Sequence, residues 1–196
     1  MTTSDNTDEN KKAATEYPIH NLIANRWSTR AFSNRAVEEQ KLKSLFEAAR
    51  WAPSAFNKQP WSFYVGKQGD EIYQKIFNCL FPFNQTWVAA APVLVLCVAD
   101  TLDPKGELNR SYAYDCGQAV ANLSTQATSE GLFVHQMAGM DYQKLAANFE
   151  LPETVVPVIA FTIGYRGSMD HLPEGMQKTE LSPRSRKKTE EFVTML

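Results

Sequence analysis

Cysteine is scarce in this sequence, and its three copies form no pattern that would bind a metal or serve as a redox pair. Cys79, Cys97 and Cys116 are far apart, lie in apolar stretches and form no CxxC motif. This spacing predicts buried, reduced thiols in a reducing compartment rather than a disulfide framework. A catalytic cysteine would need a base positioned beside it, and the sequence offers no partner for that role.

Histidine is equally scarce, and the usual catalytic motifs are missing. None of the three histidines, His20, His135 and His171, stands at metal-ligand spacing from another histidine or from a cysteine, so no metal site is expected. The chain also contains no GxSxG, no P-loop and no GxGxxG sequence. These absences leave no side chain that is a clear candidate for a catalytic role.

Long hydrophobic runs and a strong charge imbalance are also absent. No apolar run approaches the roughly 18 residues of a membrane span, so no contact with a bilayer is expected. Residues 1–17 are polar and lack a hydrophobic region, which predicts a mobile N-terminal tail of a cytoplasmic protein rather than a signal peptide. The formal net charge of −2 argues against a generally basic nucleic-acid binder.

The sequence does contain enough hydrophobic residues, 43% of 196, for one domain with a sizeable core, assigned here to residues 18–196. Hydrophobic spacing predicts helices over Glu38–Trp51, Asp70–Leu80, Ser111–Glu130 and Asp141–Phe149, and strands over 61–66, Pro92–Ala99, Leu132–Gln136 and Val155–Gly164. The helix over Ser111–Glu130 is rich in small residues. It is therefore expected to be either a central core helix or a helix that contacts a second subunit.

The stretch from Trp51 to Trp61 connects a predicted helix to a predicted strand and contains side chains that neither element favours. Pro53 and Pro60 each force the preceding residue out of the helical region, so the loop between them has restricted dihedral angles. Polar residues and aromatic walls in such a loop are typical of a binding site held between rigid elements. A stiff helix-to-strand connector is the alternative reading of this stretch alone.

Two further segments contain arginines that could bind an anion. If residues 26–30 are extended, Arg26, Ser28 and Arg30 point to one face, where guanidinium and hydroxyl groups suit a phosphate or a carboxylate. A solvated polar face is the alternative. Near the C-terminus, the basic run over 183–188 is interpreted as a solvated tail or a second anion contact. A nuclear address or nucleic-acid patch is the less favoured reading because no aromatics interleave with the charges.

Two of these motifs together resemble the FMN-dependent nitroreductase family. The run over 26–32 is similar to the family's opening RxSxRxF, and residues 52–54 with 57–61 are similar to its APSxxNxQPW segment. Further matches are Asn84, Gly139, Arg184 and Arg186. The resemblance covers residues 18–194, which is essentially the whole chain without its tail.

The resemblance implies a non-covalently bound FMN. Arg26 and Ser28 would hold its phosphate and ribityl chain, and Arg184 and Arg186 would close on the phosphate. Arg30 would lie at the N1/O2 edge of the isoalloxazine ring, where a cation stabilises the anionic reduced flavin and raises its potential. The cofactor contacts implied in this way are Arg26, Trp27, Ser28, Arg30, Pro53, Ser54, Ala55, Asn57, Gln59, Asn84, Met137, Ala138, Gly139, Arg184 and Arg186.

Other implied contacts concern the flavin ring. Asn84 would reach the pyrimidine side of the ring or the ribityl chain, and the amides of Ala138 and Gly139 would approach N5 and O4. Two departures from the family pattern bear on the substrate. Trp87 stands where well-studied members often have lysine, and Ala138 stands where some have glutamate.

The resemblance also implies an α+β fold and an intertwined homodimer. The expected architecture has three layers, αβα, with a mixed, mainly antiparallel sheet between helices and a C-terminal segment that reaches across the dimer. Pro53, Ser54, Ala55 and Asn57 would come from the partner subunit, so that the FMN site lies at the subunit interface.

The activity implied is an oxidoreductase that uses NADH or NADPH. Hydride would pass through flavin N5 in a ping-pong scheme to a small acceptor, namely a nitroaromatic compound, a quinone or an activated alkene, without a protein nucleophile. Two alternatives stay open: a family member with other flavin chemistry, such as reductive dehalogenation or flavin breakdown, and a flavin-binding module without turnover. The physiological acceptor and the choice between NADH and NADPH are not determined by the sequence.

Overall fold

The computed structural model of the protein describes residues 10–195. In chain order its elements are α1 (Asn21–Asn25), α2 (Glu39–Arg50), β1 (Trp61–Lys67), α3 (Glu71–Phe77), α4 (Pro82–Val88), β2 (Val93–Asp100), α5 (Tyr112–Ser129), β3 (Phe133–Met137), α6 (Tyr142–Asn148), β4 (Val155–Gly164) and α7 (Glu174–Leu181). Two short 3-10 turns, Ala55–Asn57 and Thr189–Glu191, complete this order.

The four strands form one sheet in the order β1-β2-β4-β3, with β1 and β3 at its edges. All three pairings between these strands are antiparallel, and one row across the sheet joins Tyr64, Leu96, Ala160 and Met137. The prediction of a mainly antiparallel sheet is therefore confirmed. Within residues 10–195 there is no parallel pair of strands, so the mixed character expected of the sheet is not found there.

Both faces of the sheet are covered, because the central strand β2 alternates its apolar side chains between two hydrophobic clusters. Leu94, Leu96 and Val98 pack with α3, α4 and α6 on one face. Val95 and Cys97 pack with α2 and α5 on the other. The continuous apolar run of β2 is what a strand buried on both faces requires. The α+β class with three layers is thus confirmed.

Local capping explains where several helices begin and end. Asp70 and Asp141 accept hydrogen bonds from the backbone N–H groups of Tyr73 and Lys144 at 2.7 and 2.9 Å, which fixes the start of α3 and of α6. Gly131, with φ of 71°, follows α5 as the left-handed residue that ends many helices.

Helix α3 is shorter than the sequence predicts. It ends at Phe77 instead of Leu80 because the chain turns there to pair with the segment before α6. Leu80 forms a bridge with Met140, and the Asp141 N–H donates to the carbonyl of Cys79 at 2.8 Å. Tertiary pairing therefore outweighs the helical periodicity over these last residues.

The three cysteines are free and buried, as predicted. Interaction with the Cys116 thiol and burial both raise the pKa of Cys97, so it is a neutral thiol at physiological pH. No helix among the described residues is both long and apolar enough to cross a bilayer. The same residues contain no cluster of three or more His, Cys, Asp or Glu side chains that could hold a metal ion.

The N-terminal stretch has firm contacts earlier than the predicted tail over 1–17 implies. Residues 1–9 lie outside the described part of the chain. Lys11 is 5% exposed, and its ammonium group donates to the carbonyls of Thr179 and Ser182 at 2.7 and 2.5 Å. The Ala13 N–H donates to the carbonyl of Ala24 at 2.9 Å. Lys11 thus joins the N-terminal part of the described chain to its C-terminal segment.

Candidate functional site

The segment from Arg26 to Arg30 alternates between the core and the surface. Trp27 and Thr29 are buried, whereas Arg26, Ser28 and Arg30 are partly or fully exposed. The Arg26 guanidinium donates to the Ser28 hydroxyl at 3.3 Å. This is the alternation that an extended chain produces, and it puts two guanidinium groups and a hydroxyl on one side.

A buried carboxylate that the sequence analysis did not single out holds this segment from behind. Glu180, on α7, is 1% exposed and accepts the Thr29 hydroxyl at 2.7 Å and the Arg30 N–H at 2.9 Å. The Thr29 hydroxyl oxygen in turn accepts the Ala31 N–H at 3.0 Å. No local sequence pattern distinguishes Glu180, because the residues around it are polar and typical of an exposed segment.

Three arginines, Arg26, Arg184 and Arg186, lie close together with no acidic partner among the described residues. Arg184 donates through its two terminal nitrogens to the carbonyls of Arg26 and Ala24, both at 2.5 Å. Burial and the nearby Arg186 lower the pKa of Arg26, and burial with both neighbours lowers that of Arg184. No ion pair to a carboxylate is found for these three within the described residues. Such a cluster of unneutralised guanidinium groups is suited to an anion.

Arg30 extends from this segment over an aromatic surface. Its guanidinium carbon lies 5.8 Å from the ring centroid of Phe83 and 5.9 Å from that of Trp87. Its Nε is buried and has no hydrogen-bond partner within the described chain. A buried donor without a partner is costly, and a ligand acceptor would satisfy it.

His135, on β3, lies behind Arg30 and was not predicted as part of the site. Its Nδ1 is 2.9 Å from the Thr29 carbonyl, and its ring centroid is 4.4 Å from that of Trp87. Burial, with a further contribution from the positive charge of Arg30, lowers the pKa of His135 to about 4. The imidazole is therefore neutral near pH 7, and it supports the backbone beneath Arg30 as a hydrogen-bond donor. Trp87 is fully buried, so the residue that departs from the family pattern at this position is part of the core.

Asn84 and Gly139 meet in a tight contact. The Asn84 side-chain amide and the Phe81 N–H both donate to the Gly139 carbonyl at 3.0 Å. A Cβ atom added to Gly139 would lie 2.6 Å from Asn84 Nδ2, which is closer than real Cβ contacts allow. Position 139 therefore has to be glycine for Asn84 to adopt this geometry. Beside it, Ala138 is exposed and Met137 is buried.

The loop over 53–59 is unusually strained. Phe56, Asn57 and Gln59 have φ angles of 53°, 56° and 48°, in the left-handed region that costs most residues roughly 1–2 kcal/mol. The Ser54 hydroxyl oxygen accepts the Gln59 N–H at 3.0 Å and closes the loop on itself. Strain of this kind persists only where the surroundings hold it, and it is commonly found at functional sites.

A second buried carboxylate fastens this loop. Asp115, near the start of α5, is 1% exposed and accepts the Ala55 N–H at 3.2 Å and the Ser111 hydroxyl at 3.1 Å. The Gln118 side chain also donates to the Pro53 carbonyl at 3.4 Å. The sequence places Asp115 on a helix but gives no sign that it is buried.

The predicted site residues fall into two groups on one chain. The first group comes together beside β3, the edge strand that ends at Met137: Arg26, Trp27, Ser28, Arg30, Asn84, Met137, Ala138, Gly139, Arg184 and Arg186. The second group precedes β1, at the opposite edge of the sheet: Pro53, Ser54, Ala55, Asn57 and Gln59. Three strand spacings separate the two edges, which is about 14 Å. A single chain does not bring the two groups into contact.

Comparison with known proteins identifies relatives of this chain. The model of the Nitroreductase family matches residues 23–82 and 81–165, which is more than half of the chain. A protein of Archaeoglobus fulgidus with the provisional name NADH dehydrogenase/NAD(P)H nitroreductase is 30% identical over 153 residues, which covers 74% of this chain and 83% of that protein.

Two further comparisons cover more of the chain. An iodotyrosine deiodinase of Haliscomenobacter hydrossis is 25% identical over 189 residues, covering 81% of this chain and 84% of that protein. A crystal structure described as that of an oxidoreductase containing FMN superimposes with a TM-score of 0.88 at 27% identity, covering 99% of this chain and 96% of the other.

Proposed function

The chain belongs to the nitroreductase family, and we propose that it is an FMN-dependent oxidoreductase that transfers electrons from NADH or NADPH to small aromatic acceptors. One observation carries this proposal. Arg26, Arg30 and Arg186 lie along one side of the site with no carboxylate paired to their guanidinium groups among residues 10–195. A phosphorylated, electron-accepting ring is the ligand that this arrangement suits.

The residues present fit the phosphate of FMN. Arg26, Ser28 and Arg186 would hold it, since each offers a donor on the same side. Arg184 is already committed through its terminal nitrogens to two backbone carbonyls, so its main contribution would be to fix Arg26 in place. Each charge-assisted hydrogen bond contributes roughly 1.5–3 kcal/mol net, so a few suffice for tight non-covalent retention.

The residues also fit the ring. When bound, FMN supplies the redox chemistry, taking a hydride equivalent from the reduced nicotinamide and returning two electrons to the acceptor. Arg30, with its unpartnered Nε, would stabilise negative charge at the pyrimidine edge. The Asn84 side-chain amide donates to the Gly139 carbonyl and occupies the space where a side chain at position 139 would lie.

No side chain of the protein is assigned a catalytic role. Burial raises the pKa of Cys79, and burial together with Cys116 raises that of Cys97, so neither thiol is a nucleophile near pH 7. His135 is neutral and buried. The protein would therefore contribute binding, orientation and electrostatics, and protons would come from water.

A homodimer completes the proposed site. The strained loop exposes Phe56, which is 95% exposed, and Trp51, at the end of α2 just before the loop, is 73% exposed. Tyr114 on α5 is 73% exposed, and the small residues Ala113 and Gly117 on the same helix are exposed beside it. An apolar surface of this kind is typical of a subunit interface. We infer that a partner subunit covers it and supplies Pro53, Ser54, Ala55 and Asn57 to the flavin site.

The acceptor would lie against aromatic side chains. Phe81 and Phe83, at the start of α4, are 52% and 60% exposed. Phe81 adjoins Gly139, and Phe83 adjoins Arg30. Two exposed rings beside the proposed flavin position favour a flat aromatic substrate, because aromatic pairs gain from stacked or edge-on contact.

A second candidate function is reductive dehalogenation of an aromatic substrate. It is favoured by the similarity to the iodotyrosine deiodinase of Haliscomenobacter hydrossis. The two functions differ in the electron donor and the acceptor. If dithionite reduces the bound flavin but neither nicotinamide does, and a halogenated phenol then reoxidises it, the second function would replace the first.

The proposed function has a direct test. Purified protein should be yellow, should release FMN on denaturation, and should be bleached by NADH or NADPH in the absence of oxygen. A nitroaromatic compound or a quinone should then restore the colour. A protein that remains colourless after incubation with FMN would contradict the proposal.

A further inference from the structure

A groove of about 610 Å³ runs between the two ends of the described chain. One wall is formed by residues 13–23 and the other by residues 184–192, with Arg26 at its inner end. We call it the terminal groove. It includes the arginines proposed to hold the FMN phosphate and extends beyond them between the two walls.

The terminal groove is strongly positive although the whole chain has a net charge of −2. Among the described residues that line it, one carboxylate, Glu16, accompanies five cationic side chains. One of the five, Lys188, has its ammonium group 4.0 Å from the carboxylate of Glu190, so the net charge is +3 when Glu190 is counted. Glu16 accepts both the N–H and the hydroxyl of Thr189, at 3.0 and 2.9 Å, instead of pairing with an arginine. The five cations are Arg26, Arg184, Arg186, Lys187 and Lys188.

This charge exceeds what one phosphate neutralises. A phosphate monoester carries about −1.5 to −2 at neutral pH, so the FMN phosphate would balance about half to two thirds of the charge of the groove. On other surfaces of the described chain, lysines such as Lys43, Lys75 and Lys178 pair with a glutamate one helical turn away. Lys187 makes no ion pair within residues 10–195. The remaining charge therefore matches a second phosphate.

The walls of the terminal groove add an aromatic surface beside these charges. Tyr17 and Phe192 line it and are each 68% exposed, and Ile23, which also lines it, is 56% exposed. Exposed aromatic faces next to cations are the combination that binds a nucleobase and its phosphate, through stacking and charge together.

We propose that the terminal groove binds the adenosine 2′-phosphate end of NADPH, which makes NADPH the preferred electron donor. This inference rests on the proposed FMN site, because the nicotinamide has to reach the ring beside Arg30. The extended segment from Arg26 to Arg30 spans about 13 Å, a distance that an extended dinucleotide bridges. NADH lacks only the 2′-phosphate, so the two electron donors differ in the one group that Lys187 and Lys188 would contact.

The test compares the two donors on the FMN-loaded protein. The wild type should have a kcat/KM for NADPH at least about tenfold above that for NADH, since each lost charge-assisted contact costs about tenfold or more. The ratio should fall by at least about tenfold in Lys187→Gln/Lys188→Gln, because this variant loses both lysine contacts. Lys178→Gln, an exposed lysine of the same C-terminal segment outside the groove, should keep the wild-type ratio. Added salt should lower the ratio as well.

A nucleotide probe makes the result independent of turnover. Adenosine 2′,5′-bisphosphate should bind the wild type more tightly than AMP in calorimetry, and the double lysine variant should lose this difference. Equal or better use of NADH by a yellow wild-type protein, or an unchanged donor ratio in the double variant, would overturn the proposal. A colourless protein would contradict the FMN function instead, and the bisphosphate measurement would still decide whether the groove takes this ligand.

Discussion

The carboxylate of Glu180 and the backbone N–H of Arg30 are joined by a hydrogen bond of 2.9 Å, across 150 residues of sequence. Through this bond and a second one to Thr29, helix α7 holds the extended segment that carries the arginines. Because Glu180 is buried, both of its oxygens depend on these donors for compensation of the lost hydration.

Substitution of Glu180 should therefore weaken the site and the fold together. Glu180→Ala leaves the Arg30 N–H and the Thr29 hydroxyl without an acceptor, and a cost of about 2–5 kcal/mol is expected. Glu180→Gln should cost less because its amide oxygen can still accept one bond. Urea unfolding and the FMN dissociation constant measure both effects. Glu174→Gln, an exposed position on the same helix, should change stability by less than about 0.5 kcal/mol.

Removal of the Arg30 charge should lower the flavin potential more than it weakens FMN retention. The loss of a contact of about 1.5–3 kcal/mol to the reduced ring corresponds to about 30–60 mV for a two-electron couple. Redox titration of Arg30→Ala against Arg35→Ala, an exposed arginine paired with Glu38, measures this difference. An unchanged potential in Arg30→Ala would argue against its assignment to the ring edge.

Gly139→Ala should disrupt the contact with Asn84. The new Cβ would meet Asn84 Nδ2 at 2.6 Å, and forcing it in should cost about 1–3 kcal/mol with reduced FMN affinity. The double variant Gly139→Ala/Asn84→Ala should recover part of that stability, because the clash is gone. Gly175→Ala is a suitable control because its added Cβ meets nothing within 4 Å. Equal effects at both glycines would contradict the proposed contact.

Subunit mixing tests whether the strained loop serves the partner's site. Arg26→Ala and Asn57→Ala homodimers should each bind FMN poorly, since every site lacks one residue. In a heterodimer of the two variants, one site is complete, because the Asn57→Ala subunit supplies its Arg26 and the Arg26→Ala subunit supplies its Asn57. An equal mixture should thus regain up to about a quarter of the wild-type FMN sites after random subunit exchange. No recovery, despite heterodimers detected by native mass spectrometry, would mean that both residues act within one chain.

His135 should make the fold less stable as the pH falls. Its pKa is about 4 in the folded protein and 6.5 without burial, so the unfolded chain takes up a proton that the native state refuses. The free energy of unfolding should therefore have its full value above about pH 6.5 and decrease as the pH falls toward 4, by about 3 kcal/mol in total. Urea unfolding across this range measures it. His135→Gln should flatten the dependence, whereas His171→Gln, an exposed position, should retain it.

Several features of this protein can be predicted from short stretches of its sequence. The apolar run of β2 predicts a strand buried on both faces, and the spacing in α2 predicts an amphipathic helix. Alternation over 26–30 predicts that Arg26, Ser28 and Arg30 share a side. Pro53 and Pro60 predict a loop with restricted dihedral angles. Each of these features is encoded in a short stretch, where the period of side chains or the stereochemistry of proline is sufficient.

The distant residues that support the site could not be predicted in this way and are evident from the packing of the folded chain. In the sequence Asp115 looks like an ordinary helix carboxylate, Glu180 like part of a polar C-terminal segment and His135 like one residue of a strand, because burial depends on what packs against them. The early end of α3 follows from a pairing between Leu80 and Met140 that no local pattern contains. The separation of the two groups of site residues likewise follows from the strand order β1-β2-β4-β3, which sets β1 and β3 at opposite edges. Long-range packing, which local periodicity does not encode, fixes all of these relationships.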